Sequence, residues 1–330
     1  MLPLDQLRAT KTIIVHDSCA DGLASALFLH DVLPEADLRF VQYSTLAYLN
    51  LEASPNMLFC DFSPPAERWE PFRDAGAMIL DHHKKAKSIV QAFGENGVFA
   101  DEVLDPGVCG AYLAYREVWC RLADKSYQDE AGPWPQRVAE LAGIRDTWLN
   151  KHPDWKEACI LADAMRFFPA ETWLERRRPF DLASHKEWWD ERIGVGRWLF
   201  EKNERTVQKA LANSYRFTTT KGTRVVVFEG MKPTSDASDA MGDDADLIVG
   251  FNYFLEEFPE GRMCTLTFST RSRTGFDCSA LAAHYGGGGH TAAAGFSVRF
   301  DPREGARDPF TVIRDLVEKY QHYLDLTPNL

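Results

Sequence analysis

Short apolar runs, each followed at once by residues able to bind a metal or a phosphate, constrain this chain more than any other feature. Thr12 to Val15 (TIIV) leads into His16, Met57 to Cys60 into Asp61, and Ala77 to Leu80 into Asp81-His82-His83. Unalternating runs of this length, separated by helical patterns, read as strands buried on both faces of a parallel sheet. Ligands of such sheets bind in the crevice beyond the carboxyl ends of the strands. The polar residues therefore stand where an α/β fold places its chemistry.

The rest of the first half continues the alternation, with further strands expected at Asp37 to Tyr43 and Gly97 to Ala100. Helices are expected at Gly22 to Leu33, Ala66 to Ala75, Gly110 to Leu122 and Gln136 to Ala142. Lys186 to Asn213 carries a helical stripe (Trp188, Ile193, Leu199, Val207, Leu211) and reads as a long connecting helix. Beyond it lie strand runs at Arg224 to Phe228, Leu247 to Tyr253, Met263 to Ser269 and Phe296 to Phe300, then an amphipathic helix from Pro309 to Leu324. With 330 residues, a second, smaller α/β domain is expected, the boundary falling near residues 185–220.

Lys plus Arg number 37 against 49 Asp plus Glu, a net charge of −12, so the surface repels polyanions and a long duplex nucleic acid is not an expected partner. The longest uncharged stretch, Cys278 to Val298, contains two histidines and four consecutive glycines, so it is no membrane span. Seven cysteines without a Cys-x-x-Cys pair, and an N-terminus lacking a signal-peptide pattern, point to reduced thiols and a cytoplasmic setting.

His16, Cys19 and Asp21 offer three metal donors on one strand-to-helix loop; the plain alternative is a helix capped by Asp17 or Ser18. Asp61 reads either as a crevice acid or as a turn former. In Asp81-His82-His83, one histidine is expected to bind metal and the other to face substrate, with Asp81 holding the ring of the liganding one. Acids gathered in one crevice need cations. Carboxylate with imidazole suits Mn2+, Mg2+ or Zn2+, and two ions about 3.5–4 Å apart can share a carboxylate and lower the pKa of a bridging water. In the second half, Gly286 to Gly289 and His290, with Arg271 and Arg273 on the loop leaving the strand Met263 to Ser269, read as an anion and nucleotide pocket. Asp146, at the end of a helical pattern, reads on pattern alone as a capping or solvated acid. Arg176-Arg177-Arg178 reads as a solvated helix face, and Asp124 to Pro135 as a polar insertion.

Taken in order, these segments resemble the DHH phosphoesterases with a GGGH-type DHH-associated C-terminal domain. That family includes nano-RNases, RecJ-type exonucleases and cyclic-dinucleotide phosphodiesterases. The resemblance rests on the H-x-x-C-x-D-G loop (His16 to Gly22), Asp61, Asp81-His82-His83, Cys109 to Ala114, Asp146 with Trp148, and the GGGGH run. It implies a parallel-sheet catalytic domain (1–185), a helical linker (186–220) and a substrate-binding α/β domain (221–330), with the active site in the cleft between them. By motif, His16, Cys19 and Asp61 would surround one Mn2+ and Asp21, Asp61, His82 and Asp146 a second. Asp61, Asp81, His83 and Arg271 would carry catalysis. His83, Arg271, Gly287, Gly288, Gly289 and His290 would hold substrate. Cys19 stands where many relatives have aspartate; its softer thiolate favours a weaker site or a softer ion.

The expected activity is therefore metal-dependent hydrolysis of short oligonucleotides or dinucleotides to nucleoside 5′-monophosphates, through a hydroxide bridging two metals, as in an exonuclease or oligoribonuclease. A phosphomonoesterase, nucleoside bisphosphate phosphatase or exopolyphosphatase needs the same residues. A degenerate nucleotide-binding protein, its first ion site emptied by Cys19, is the alternative outside catalysis. The sequence leaves monomer and homodimer both open.

Overall fold

The computed structural model describes every residue except Ser18, Ser44, 102–103, 259–260, 302–307 and 327–330; of the two expected helix caps, Ser18 lies outside the described residues. The chain divides into two compact units, Met1–Phe200 and Glu201–Leu330, the division falling inside one long helix.

The first unit runs α1 (Leu4–Arg8), β1 (Thr12–His16), α2 (Ala20–Val32), β2 (Asp37–Val41), α3 (Leu46–Leu49), β3 (Met57–Cys60), α4 (Glu70–Asp74), β4 (Met78–Asp81), α5 (Lys87–Ala92) and β5 (Gly97–Phe99). Helices α6 (Gly110–Ala114), α7 (Cys120–Leu122), α8 (Lys125–Ala131), α9 (Trp134–Asp146), α10 (Trp155–Phe167), α11 (Ala170–Leu174) and α12 (Leu182–Ala212) follow. The five strands form a parallel sheet in the order β2-β1-β3-β4-β5. Successive residues of each central strand serve opposite cores: Ile13, Val15, Leu58, Cys60 and Leu80 face one, and Ile14, Met57, Phe59 and Ile79 the other. Burial on both sides explains why these strands read as continuous apolar runs. The order also places β1, β3 and β4 side by side, about 4.8 Å apart. Their carboxyl ends, carrying His16, Asp61 and Asp81 to His83, consequently open on one crevice.

Several elements depart from the expected pattern. Helix α2 begins at Ala20, before Gly22, and Cys19 precedes it without a side-chain cap bond. Helix α4 covers only Glu70–Asp74, because Pro71, tolerated in a first turn but not in a helix interior, fixes where the helix starts. The polar insertion forms α8, N-capped by Asp124, and the Tyr127 hydroxyl donates to Asp31. Arg176 to Arg178 are not helical. Arg178, with φ 51°, leaves α11 behind and pairs with Asp124 and Glu130.

The second unit adds β6 (Tyr215–Thr218), β7 (Arg224–Glu229), α13 (Thr234–Met241), β8 (Leu247–Phe258), β9 (Gly261–Arg271), α14 (Cys278–His284), β10 (Gly288–His290), β11 (Ala293–Phe300) and α15 (Pro309–Leu326). Its sheet runs β10-β11-β9-β8-β7-β6, with only β7 and β8 parallel. The segment expected as linker thus contains β6, an edge strand of this sheet. Among the described residues, no helix of the chain is long and apolar enough to cross a membrane.

Parallel strands β7 and β8 begin at a fork in which the Arg224 main-chain N–H, Nε and Nη2 all donate to the Asp246 carboxylate at 2.7–3.0 Å. These bonds lower the Asp246 pKa to about 2, against burial. A depressed acid stabilises the fold above its unfolded pKa near 4, and that contribution fades as pH falls through about 2. We expect Asp246→Asn to cost on the order of 1 kcal/mol at pH 7, discounted for solvent screening. Denaturant unfolding should show the wild-type advantage shrinking between pH 4 and pH 2.

Candidate metal centre

Asp61 occupies the middle of the crevice because β3 is the middle of the three strands. It follows β3 with φ 55°, a left-handed conformation that Asp tolerates better than most residues. Its N–H still donates to the Leu80 carbonyl of β4 at 2.9 Å. This twist leaves the carboxylate reaching both ways: Oδ2 lies 3.6 Å from His16 Nδ1, and Oδ1 lies 3.2 Å from His82 Nε2.

The tautomer of His16 follows from Gln42. The Gln42 amide donates to the Asp17 carbonyl, and its Oε1 accepts from the Tyr43 N–H, so the oxygen is the atom facing His16 Nε2 at 3.0 Å. His16 therefore donates through Nε2 and presents a lone pair at Nδ1. Two buried acceptors, Nδ1 and Asp61 Oδ2, face one another with no hydrogen-bond partner among the described residues. A cation between them satisfies both, and Cys19 completes a set whose donor atoms lie within 4.8 Å of one another.

A second set gathers around His82 Nε2, with Asp21 Oδ2 at 3.5 Å and Asp146 Oδ2 at 3.3 Å beside Asp61. The Asp21 carboxylate is fixed from behind by the start of α6, accepting from Gly110 N, Ala111 N and the Cys109 thiol at 2.7–2.8 Å. Gly110 is needed for this approach, because a Cβ there would stand 2.3 Å from the Asp61 Cβ and 3.0 Å from Asp21 Oδ2. Asp146, read on pattern as a cap or solvated acid, ends α9 at the centre instead. The donor sets fit divalent cations: nitrogen, oxygen and sulfur at the first, nitrogen and oxygen at the second.

Asp81 holds the ring of His83 and not that of His82, although His83 also belongs, with Asp61 and His82, to a group that could hold a metal ion. Its Oδ1 accepts from the His82 and His83 main-chain N–H groups and from His83 Nδ1 at 2.7–2.9 Å, and its Oδ2 accepts from Ser63 Oγ at 2.5 Å. The ring it orients is that of His83, whose side chain is 38% exposed. The triplet divides because neighbouring residues beyond a strand end point differently, so Asp81 reaches the nearer ring. Gln42, Ser63 and Cys109 were given no role on sequence; their contacts cross 26, 18 and 88 residues, and no local pattern signals them.

Without cations the centre compensates with protons. Burial opposes charge on His82, yet Asp21 and Asp61 raise its pKa to about 12. Burial, reinforced by Asp61, Asp21 and Asp146, pushes the Cys19 thiol up to about 12. Burial and the neighbouring Asp21 and Asp61 lift Asp146 to about 7.

In the second unit, His290 on β10 and Arg271 on β9 both pair with Ala293 of β11, so the three lie in one row across the sheet. The glycine run forms a turn and the edge strand β10. Gly287 admits no side chain, since a Cβ would meet the Gly295 carbonyl at 2.2 Å. Arg271 belongs to β9 rather than to a following loop and donates to Ser235, Ser269 and the Thr270 carbonyl. Arg273, expected to help grip an anion, is engaged by Asp239. A cavity of about 600 Å³ is lined by Gly286, Gly287, Phe296 and Arg299, among others.

The fold built this way is one shared with solved DHH-domain structures. Among solved structures it is similar to the pGpG-specific phosphodiesterase PggH of Vibrio cholerae (TM-score 0.58, 13% identity, 95% of this chain and 99% of that one). It is also similar to a DHH domain from a member of the s1p family of ribosomal proteins (TM-score 0.57, 12% identity, 97% of this chain and 87% of that one). No family model and no curated protein matches the sequence.

With Asp146 raised to about 7 and an unfolded value near 4, the folded metal-free protein binds the extra proton, so its stability falls as pH rises from 4 to 7. We expect Asp146→Asn, in chelator at pH 8, to be more stable than wild type by about 2–4 kcal/mol, the difference vanishing below about pH 4. With divalent metal the order should reverse, as thermal unfolding would show. Gly110→Ala should fold but lose most bound metal, measured by elemental analysis.

Proposed function

We propose that this chain is a divalent-metal-dependent phosphodiesterase that cleaves short oligonucleotides, dinucleotides foremost, to nucleoside 5′-monophosphates. The observation that carries the reading is a pair of adjoining donor clusters, His16 and Cys19 about Asp61, and Asp21, Asp61 and Asp146 about His82. His16, Cys19 and Asp61 would hold one ion, and Asp21, Asp61, His82 and Asp146 the other. Mn2+ suits this mixture of carboxylate and imidazole, and Cys19 widens the choice toward softer ions. When bound, two such ions polarise a phosphoryl oxygen and make water a nucleophile at neutral pH.

The chain's own residues supply the rest. His83 donates through Nδ1 to Asp81, leaving Nε2 for substrate; no hydrogen bond among the described residues engages that atom. Burial disfavours the imidazolium, but Asp81 raises the His83 pKa above its ordinary value. His83 thus keeps a proton on Nε2 to offer a phosphoryl or leaving oxygen. Arg271 and His290, in one row on the second sheet with Ala293 between them, suit a phosphate, the guanidinium gripping two oxygens at once. A net charge of −12 favours a short substrate over a long polyanion. PggH is named for pGpG, which makes that linear dinucleotide the first substrate to try.

The test is product analysis with Mn2+ on pGpG, a longer oligonucleotide, a nucleoside bisphosphate and polyphosphate. We expect GMP from pGpG, with Asp61→Ala slower by roughly a thousandfold or more and His83→Ala by about a hundredfold. Because protonated His83 is the active form, wild-type kcat should fall on the alkaline side, and His83→Ala should lack that limb. Full activity in Asp61→Ala, or preference for polyphosphate, would overturn the reading.

A further inference from the structure

A cavity of about 240 Å³ lies against the metal centre within the first unit, and no motif points to it. One wall consists of Asp21 and Asp146, both drawn into the second ligand set. Opposite stand Leu161, Met165 and Arg166 of α10, spaced so that one helix face lines the cavity, with Arg145 of α9 and Trp148 at the ends.

Two cations line this cavity beside the two carboxylates. The Arg145 guanidinium lies 4.2 Å from the Trp148 ring centroid and 5.2 Å from that of Trp155, and it forms no ion pair among the described residues. Arg166 has Asp163 only at 4.0 Å, the outer limit of an ion pair, and its side chain is 46% exposed. Trp148 is held at φ 55°, a conformation costly for a bulky residue, with its ring against Trp155 at 5.3 Å. A second cavity, of about 300 Å³, shares Met165 and Arg166 and reaches Cys19. Arg166 therefore stands where two cavities meet, each touching one ligand set of the metal centre.

From this geometry we infer that the α9–α10 cavity is a nucleotide subsite of the catalytic unit, taking one phosphorylated nucleoside. Arg166 and Arg145 receive the phosphate, and Trp148, Leu161 and Met165 receive the base. The volume of about 240 Å³ lies below the roughly 300–1,000 Å³ of sites that enclose a whole drug-sized molecule, so a single nucleotide fills the cavity with part of its sugar and base left outside. The identity of the ligand rests on the phosphodiesterase reading; the existence of the site does not.

The test is calorimetric titration of GMP into the full chain, with and without Mn2+, for wild type, Arg166→Ala, Trp148→Leu and Asp61→Asn. Circular dichroism checks that each variant folds, and Arg166, half exposed at a helix end, is the safest of them. We expect wild type to bind GMP and guanosine to bind about tenfold more weakly, the loss of a charge-assisted bond. Asp61→Asn should retain GMP binding, and Arg166→Ala and Trp148→Leu should each weaken it about tenfold or more. GMP binding unchanged in both Arg166→Ala and Trp148→Leu, or dependent on Mn2+ and lost in Asp61→Asn, would overturn the subsite. If pGpG is not hydrolysed but GMP binding requires Arg166, the subsite stands and the proposed activity falls. If hydrolysis proceeds while Arg166→Ala binds GMP normally, the reverse holds.

Discussion

Mutual repulsion among Asp21, Asp61 and Asp146, gathered around a single imidazole, is the constraint on which the first unit is built. At separations of a few ångströms in a poorly solvated crevice, like charges raise one another's pKa or call in cations. Each acid is given a different answer. Asp21 keeps its carboxylate in the charged form against burial chiefly through His82, with help from the Cys109 thiol, and two main-chain N–H groups at the start of α6 fix it in place. Asp61 keeps one oxygen without a partner, and burial with Asp21 pushes its pKa up. Asp146, partly exposed, is pushed up to about 7 by burial and by the other two acids. This gradient makes the centre a cation trap and turns its electrostatic cost into metal affinity.

Cationic groups also stand near these acids. Arg145 and Arg166 line a cavity with Asp21 and Asp146, and His83, its pKa raised against burial by Asp81, lies at the exposed edge of the crevice. Asp81 belongs to this arrangement. By orienting His83 rather than His82, it leaves His82 Nε2 for the three metal-facing acids and keeps a proton on the ring that meets solvent.

The legible parts of the fold were those in which local pattern and global packing agree. Met57 to Cys60 reads as a buried strand because β3 is covered on both faces, and Asp61 stands out because it ends that run. Helix α10 went unread because Ala158 to Ala162 are all buried, so burial wraps the helix and leaves no 3.6-residue stripe. With it went the cavity lined by Arg145 and Arg166. Strand β10 was hidden differently: three of its flanking and member residues are glycines, which disfavour strands, and pairing with β11 overrides that preference. The basic run Arg176 to Arg178 misled because charge periodicity cannot reveal that the backbone turns left-handed at Arg178.

What the sequence by itself determined is the chemistry at each strand end and its order along the chain: an imidazole, a thiol and an acid after the first strand, an acid after the third, and an acid with two imidazoles after the fourth. Those facts are local, since an apolar run and the residue that ends it are neighbours in the chain. Only the tertiary structure decided which histidine Asp81 orients and which lone pair His16 presents. Each depends on strand order or on a hydrogen bond spanning tens of residues, and lateral pairing of parallel strands leaves no mark on the spacing within any one of them.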